Sequence, residues 1–95
     1  MIFYNSQSRK KEVFKPIDKK LITLYTCGPT VYDSPHIGNY RTFLFEDLLK
    51  RTLIASGFKV EHAMNITDID DKTIKASTNE NIDLKEFTKK YINIF

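Results

Sequence analysis

Residues 21–39 read LITLYTCGPTVYDSPHIGN, and this stretch decides the fold class. Residues 21–25 form a near-continuous apolar run of strand length, which is typical of a buried strand in a parallel sheet. The segment 26–35 contains one glycine and two prolines and is therefore predicted to be a loop. A helix is predicted from about residue 38 to residue 56, and Gly57 follows it where a C-terminal cap is expected.

The predicted helix carries an apolar stripe of the kind that faces a protein core. The stripe consists of Leu44, Phe45, Leu48, Thr52 and Ala55. On the other side, opposite charges four residues apart are expected to pair, Glu46 with Lys50 and Asp47 with Arg51. The next segment, 58–66, alternates between apolar and polar residues and predicts a second strand. Together these elements predict a βαβ unit with parallel strands and a right-handed crossover.

The flanking segments predict shorter elements. Residues 2–4 and 13–14 resemble short strands joined by a polar, basic loop, and 71–77 and 83–95 are predicted helices. Asp83, followed three residues later by Glu86, is expected to start a capping box. One face of the last helix is apolar, through Leu84, Phe87, Tyr91 and Phe95. Because such a face needs a partner, we expect that the chain is cut off before the segment that covers it. The alternative is a terminal helix that folds back on its own sheet.

The composition is that of an ordinary globular protein, with 41% apolar and 28% charged residues. The net charge of +3 comes mainly from the first twenty residues, which permits contact with nucleic acid, although a solvated edge is the simpler interpretation. The single cysteine, Cys27, excludes an intrachain disulfide. The chain shows no signal-peptide pattern and no apolar run of membrane-spanning length, so we expect a protein of the cytoplasm without membrane contact.

Two polar, irregular segments follow the predicted parallel strands, at 27–39 and at 65–72. Open α/β sheets bind ligands at the carboxyl ends of their strands, so these segments are predicted to line one crevice. His36 and Gly38 precede the helix, where free backbone N–H groups and the helix dipole favour an anion. Taken alone, a histidine and a glycine at this place are more often only a turn and a cap.

Three further features allow a functional and a structural interpretation. Cys27 lies at a strand end and is a possible soft metal ligand, but a lone cysteine is more often a buried apolar filler. His62 lies on the apolar face of its strand and is expected to be a hydrogen-bonded core histidine. The acidic residues Asp68, Asp70 and Asp71 could hold magnesium, but they could equally cap the helix that begins near Asp71, which we favour.

Three stretches of the chain resemble a known family. They are YTCGPTVYDSPHIGN at 25–39, YRTFLFEDLLKR at 40–51 and MNITDIDDKTIKAS at 64–77. All three closely resemble the cysteinyl-tRNA synthetases, which are class I aminoacyl-tRNA synthetases with a Rossmann-type catalytic domain. CGPTVYD followed by HIG, with NITDIDDK some thirty residues later, is a specific combination. The resemblance covers essentially the whole chain, including FKPI at 14–17.

The resemblance implies a reaction and a set of residues for the amino-acid substrate. Cysteine and ATP, which carries Mg²⁺, give cysteinyl-adenylate and pyrophosphate, and the cysteinyl group then passes to the 3′ end of tRNA(Cys). Cys27 matches the first zinc ligand of the family, whose other ligands are a cysteine, a histidine and a glutamate from later in the chain. Gly28 and Thr67 match positions near the amino group of the substrate cysteine.

The resemblance also implies the residues that bind ATP. His36 and Gly38 match the HIGH motif, and Asn39 stands where most members have histidine. Asparagine can donate a hydrogen bond but cannot carry charge. Thr30 matches the nucleotide-side loop. His36 and Asn39 are therefore the expected catalytic residues, and Thr30, His36, Gly38 and Asn39 the expected ATP-binding residues.

We therefore expect residues 1–95 to be the N-terminal portion of a Rossmann-type catalytic domain, without the rest of that domain or a tRNA-binding domain, and inactive alone. The complete enzyme is expected to be a monomeric cysteine–tRNA ligase that acts on cysteine, ATP and tRNA(Cys). One alternative is a cysteine:amino-sugar ligase of mycothiol biosynthesis, which shares the cysteine-activating half. The other is a non-catalytic nucleotide-binding module that ends naturally at Phe95.

Overall fold

A pair of parallel strands organises the molecule, and the computed structural model describes all residues 1–95. Strand β3 (Ile22–Thr26) pairs in parallel with β4 (Val60–Met64), with Ile22 opposite Val60 and Thr26 opposite Met64. Helix α1 (Ile37–Ala55) lies between them in the chain and packs against β4. The expected order of strand, helix and parallel strand is therefore present. The first strand has the predicted length, shifted by one residue, and the second is shorter than the predicted 58–66.

The prediction of which side of α1 faces the core is wrong. Leu44, Phe45 and Leu48 are 61–69% exposed, and Thr52 and Ala55 are exposed as well. The buried side chains of α1 are Glu46 and Leu53, which lie on a second stripe. Both stripes recur at helical spacing and both contain large apolar residues, so periodicity identified the helix but did not select its inner face.

The two predicted ion pairs of α1 have different outcomes. Arg51 Nε lies 2.6 Å from Asp47 Oδ2, so this pair is confirmed. The pair between Glu46 and Lys50 is absent. Glu46 is only 7% exposed, and its Oε2 atom is buried without a hydrogen-bond partner. The charged residue therefore belongs to the inner side of the helix, opposite to the prediction.

The N-terminal strands form a separate hairpin. Strand β1 (Ile2–Asn5) pairs antiparallel with β2 (Lys10–Val13). The first strand is one residue longer than predicted, and the second begins three residues earlier and ends before Phe14. Phe14 joins the hairpin to the rest of the molecule, because its ring makes edge contacts with Phe3 at 5.4 Å and with Phe58 at 6.3 Å between centroids. Phe58 immediately precedes β4, so the hairpin is attached near the start of the parallel pair.

Two helices follow β4. Helix α2 (Asp71–Glu80) ends at Asn81, which adopts the left-handed conformation with φ 54°. Helix α3 (Leu84–Ile94) begins after Asp83, whose side chain accepts from the N–H groups of Lys85 and Glu86. The Asp83 cap is thus confirmed, although no return bond from the Glu86 side chain completes the predicted box.

The apolar face of α3 is partly covered within the chain. Helices α2 and α3 pack together, and Phe87 is 1% exposed. Leu84 and Tyr91 are half-buried. Phe95, directly after α3, makes an edge contact with Phe43 of α1 at 5.3 Å between centroids, but it is still 46% exposed. The chain therefore covers the first part of this face and leaves its end exposed.

The core is small, with nine of 95 residues buried. Its apolar members come from β3, the loop that follows it, α1 and α3, and they are Ile22, Val31, Leu53 and Phe87. No helix has the length and apolar character needed to cross a membrane. The main consequence for the site is that β3 and β4 end at the same edge, beside the start of α1.

Candidate active site at the strand ends

Gly28 allows the ends of β3 and β4 to approach each other. A Cβ atom at this position would lie 1.8 Å from the backbone oxygen of Asn65 and 2.8 Å from the Cγ atom of Met64. Only glycine fits without moving the backbone. The N–H of Gly28 donates to Asn65 Oδ1 at 3.0 Å, which fixes the two chains at this distance.

The parallel pairing continues beyond the strands through Thr30 and Thr67, which form an isolated bridge. The N–H of Thr67 donates to the Pro29 oxygen at 2.9 Å, and the N–H of Val31 donates to the Thr67 oxygen at 3.1 Å. The side-chain Nδ2 atom of Asn65 also donates to the Thr67 hydroxyl at 2.8 Å. The two polar segments therefore meet, as the sequence predicted, and Gly28, Thr30 and Thr67 lie within one hydrogen-bonded unit.

A cavity of about 230 Å³ lies at this edge of the sheet. Thirteen residues line it: Gly28, Pro29, Thr30, Val31, Tyr32, Asp33, Ser34, Pro35, His36, Asn39, Lys72, Tyr91 and Phe95. It therefore brings together four of the seven residues that the sequence marked. Cys27, Gly38 and Thr67 lie beside the lining residues in the chain or in the pairing, but they do not line the cavity itself.

The start of α1 forms one wall of the cavity. His36 is the N-cap residue, with extended backbone, and its Nδ1 atom accepts from the Gly38 N–H at 3.1 Å. The Asn39 Oδ1 atom accepts from the His36 N–H at 3.0 Å, which completes a capping box. A helix N-terminus attracts anions, so this wall is suited to a phosphate group.

Sequence reasoning did not identify Lys72, Tyr32, Tyr91 or Phe95 as site residues. Lys72 Nζ lies 5.2 Å from the centroid of the Tyr32 ring, a cation–π distance, and both side chains line the cavity. Lys72 closes the NITDIDDK motif, and this could have drawn attention to it. Tyr91 lies in α3 and Phe95 directly follows it, and only tertiary packing brings them here.

Cys27 is exposed and lies directly after β3, so the interpretation as a buried apolar filler is wrong. No group of three or more histidine, cysteine, aspartate or glutamate side chains is placed to hold a metal ion. A structural zinc ion needs four protein ligands. The residues of this chain therefore do not form a zinc site by themselves, and Cys27 supplies at most one ligand.

Two structural interpretations are confirmed. The Nε2 atom of His62 lies 2.8 Å from the Thr26 hydroxyl, so this half-buried histidine is hydrogen-bonded between the two strands. Asp70 is the N-cap of α2, and its carboxylate accepts from the Lys72 N–H at 2.8 Å. The acidic cluster therefore starts a helix, and in doing so it places Lys72 at the cavity.

The sequence of the chain matches a known protein family. The family model described as the tRNA synthetases class I (C) catalytic domain matches residues 13–95. This chain belongs to that family. It is 55% identical over all 95 residues to a cysteine--tRNA ligase of Chlamydia pneumoniae and 53% identical over the same length to one of Brachyspira hyodysenteriae. It is also 57% identical over 88 residues to a cysteine--tRNA ligase of Methanosarcina mazei.

The match covers the whole of this chain but a small part of each relative. The chain spans about a fifth of the length of the curated relatives that it matches. The residues of this chain that match the class I synthetase family, 13–95, include both strand ends, the cavity and the start of α1.

Proposed function

We propose that residues 1–95 form the N-terminal portion of a Rossmann-type catalytic domain, and that the complete protein is a cysteine–tRNA ligase. One observation carries the proposal: the match at 55% identity spans all 95 residues, so the segments that line the strand-end cavity lie within it. The parallel β3–β4 pair with α1 between the strands supports the fold part of the proposal. The reaction would join cysteine to ATP, release pyrophosphate and then transfer the cysteinyl group to tRNA(Cys).

In this proposal the cavity receives the phosphates of ATP. His36 and Asn39 lie at the N-terminus of α1, where backbone N–H groups and the helix dipole favour negative charge. Lys72, from the start of α2, adds a positive charge to the same cavity, and its Nζ atom lies over the Tyr32 ring. Donors that are fixed before the reaction stabilise the charge that develops on the phosphate oxygens in the transition state. We assign Thr30, His36, Gly38 and Asn39 to ATP, as the motif positions imply.

The substrate cysteine is proposed to lie at the neighbouring part of the strand ends. Gly28 bonds to Asn65, and the Thr67 N–H bonds to Pro29, so both residues belong to the pairing that follows β3 and β4. We assign them to the amino group of the substrate. Cys27 is exposed immediately before Gly28 and is the one residue of this chain proposed as a zinc ligand. The other ligands would have to come from outside these 95 residues.

The proposal is tested with a chimera. Residues 1–95 replace the matching 95 residues of the Chlamydia pneumoniae cysteine--tRNA ligase, to which they are 55% identical. We expect cysteine-dependent exchange of labelled pyrophosphate into ATP at a rate well above that of the chimera without cysteine. A folded chimera without exchange would refute the assignment. The isolated chain is expected to show no exchange.

Two substitutions in the chimera test the assigned roles. His36→Ala is expected to lower the rate of exchange by about 10²–10³-fold, which is the usual loss for one preorganised donor to a transition state. Cys27→Ser is expected to lower the zinc content, measured by atomic absorption of the purified chimera. Thr52→Ala, an exposed position on α1 away from the cavity, is the matched control and should change neither value.

A further inference from the structure

The His36 ring is held in one orientation by the start of α1. Its Nδ1 atom accepts a hydrogen bond from the Gly38 N–H at 3.1 Å, so His36 takes the place that serine, threonine, aspartate or asparagine usually occupies at an N-cap. A ring nitrogen that accepts a hydrogen bond carries a lone pair and no proton. In the neutral ring the proton is therefore on Nε2, the atom that the cap does not use.

Gly38 provides the space for this arrangement. A Cβ atom on residue 38 would lie 2.9 Å from Cε1 and 3.1 Å from Nδ1 of the His36 ring. The ring therefore occupies the volume that a side chain at 38 would need. The resemblance implies that Gly38 belongs to the ATP site, but Gly38 does not itself line the cavity. Its missing side chain is used by the neighbouring histidine.

Asn39 fixes the backbone of the same residue. Its Oδ1 atom accepts from the His36 N–H at 3.0 Å, and only the oxygen end of the amide can accept this bond. The amide is thereby oriented, and its Nδ2 group is the donor that the cap does not use. His36 and Asn39 both line the cavity, so the box leaves one donor from each of them for a ligand.

We propose that Gly38 and Asn39 are positioning residues that hold the His36 imidazole in its Nε2–H tautomer, with Nε2–H available as a donor in the cavity. The inference deepens the proposed function, on which it relies only for the acceptor, an oxygen of the ATP phosphates. It also explains how asparagine serves at position 39. The residue needs an oxygen that accepts from the His36 backbone and a group that can donate, and a neutral amide has both.

The test uses the 95-residue chain labelled with ¹⁵N-histidine. The chain has two histidines, and His62→Gln assigns the remaining ring signals to His36. Long-range ¹H–¹⁵N correlation, at a pH where both rings are neutral, is expected to show one His36 tautomer with Nδ1 unprotonated. A mixture of the two tautomers in the unmodified chain would overturn the proposal.

Three variants test whether residues 38 and 39 orient the His36 ring or only stabilise the start of α1. Gly38→Ala and Asn39→Ala are expected to give mixed tautomers and to speed solvent exchange of the residue 38 amide about five- to tenfold, the factor that a helix cap of ordinary strength provides. Asn39→Asp keeps the accepting oxygen and is expected to retain the single tautomer and the slow exchange. A single tautomer in all three variants, or its loss in Asn39→Asp alone, would contradict the assigned roles.

Failure of this inference can be told from failure of the proposed function. The tautomer is measured without substrate, whereas the function is measured by pyrophosphate exchange in the chimera. A single tautomer together with an inactive chimera would refute the function and leave the positioning roles intact. An active chimera with a mixture of tautomers would refute the positioning roles alone.

Discussion

Replacement of Leu53 by alanine is expected to destabilise the chain far more than replacement of Leu48. Both leucines lie on α1, but Leu53 is 3% exposed and Leu48 is 61% exposed. The sequence pattern placed Leu48 on the core stripe and did not mark Leu53. The pair therefore tests directly which side of α1 is buried.

The magnitudes follow from the burial of each side chain. Leu→Ala removes apolar groups worth roughly 0.8 kcal/mol each, and the cavity left behind raises the total loss for a buried leucine to about 2–5 kcal/mol. For Leu48 more than half of the side chain is already in water, so we expect a loss below about 1 kcal/mol. A domain of this size has a free energy of unfolding of about 5–14 kcal/mol, so Leu53→Ala would remove a large part of it.

Urea unfolding followed by circular dichroism at the helix band measures both variants. With a slope of about 2 kcal/mol per molar urea, Leu53→Ala is expected to lower the midpoint by about 1–2.5 M and Leu48→Ala by less than about 0.5 M. Equal losses, or a larger loss for Leu48→Ala, would refute the described packing, in which Leu53 is buried and Leu48 is exposed.

Three further substitution experiments test other parts of the fold. Gly28→Ala places a methyl group 1.8 Å from a backbone oxygen of the facing strand end, so it is expected to cost about 1–3 kcal/mol through overpacking, measured by urea unfolding. Asp70→Ala removes the N-cap of α2 and is expected to cost about 0.5–2 kcal/mol, whereas the neighbouring exposed Asp71→Ala should cost less; equal losses would contradict the cap. In the hairpin, side-chain hydrogen bonds lower the pKa of Glu12 below its usual value, and the bond with Ser8 has the largest effect. These bonds therefore stabilise the hairpin at pH values above the ordinary pKa of glutamate, and the stabilisation is lost as the pH falls through the lowered pKa. Ser8→Ala should raise the pKa of Glu12, which an NMR titration measures.

The strand ends could be predicted because their signals are local. The apolar run at 21–25 and the glycine- and proline-rich segment after it mark the end of a buried strand, and the alternation at 58–66 marks its partner. The rule that parallel strands present their carboxyl ends at one edge then brings 27–39 and 65–72 together. The bridge between Thr30 and Thr67 and the close approach at Gly28 bear this out.

The inner face of α1 could not be predicted, because two stripes of the helix carry large apolar side chains. Glu46 made the choice harder, since a glutamate is rarely buried and its position suggested the solvent side. The contributions of Tyr91 and Phe95 to the cavity were equally hidden. They depend on how α3 crosses α2 and α1, which is a property of long-range packing and not of helical spacing.

The structural part of the site was harder to predict than the chemical part. The motif identified His36, Gly38 and Asn39 as a group, but it gave no reason for the order of these residue types. The hydrogen bonds supply the reason, because the ring of His36 needs an empty position at 38 and the backbone N–H of His36 needs an acceptor at 39. Such reciprocal needs appear only when atoms are placed.

Every role proposed for this chain depends on the meeting of the two strand ends. Hydrogen–deuterium exchange, observed by NMR on the 95-residue chain, measures it most directly at two amides. The N–H groups of Val31 and Thr67 bond across the strand ends at 3.1 and 2.9 Å and are expected to exchange as slowly as the amides within β3 and β4. Exchange of both at the rate of an unprotected loop, while the strand amides stay protected, would contradict the described site.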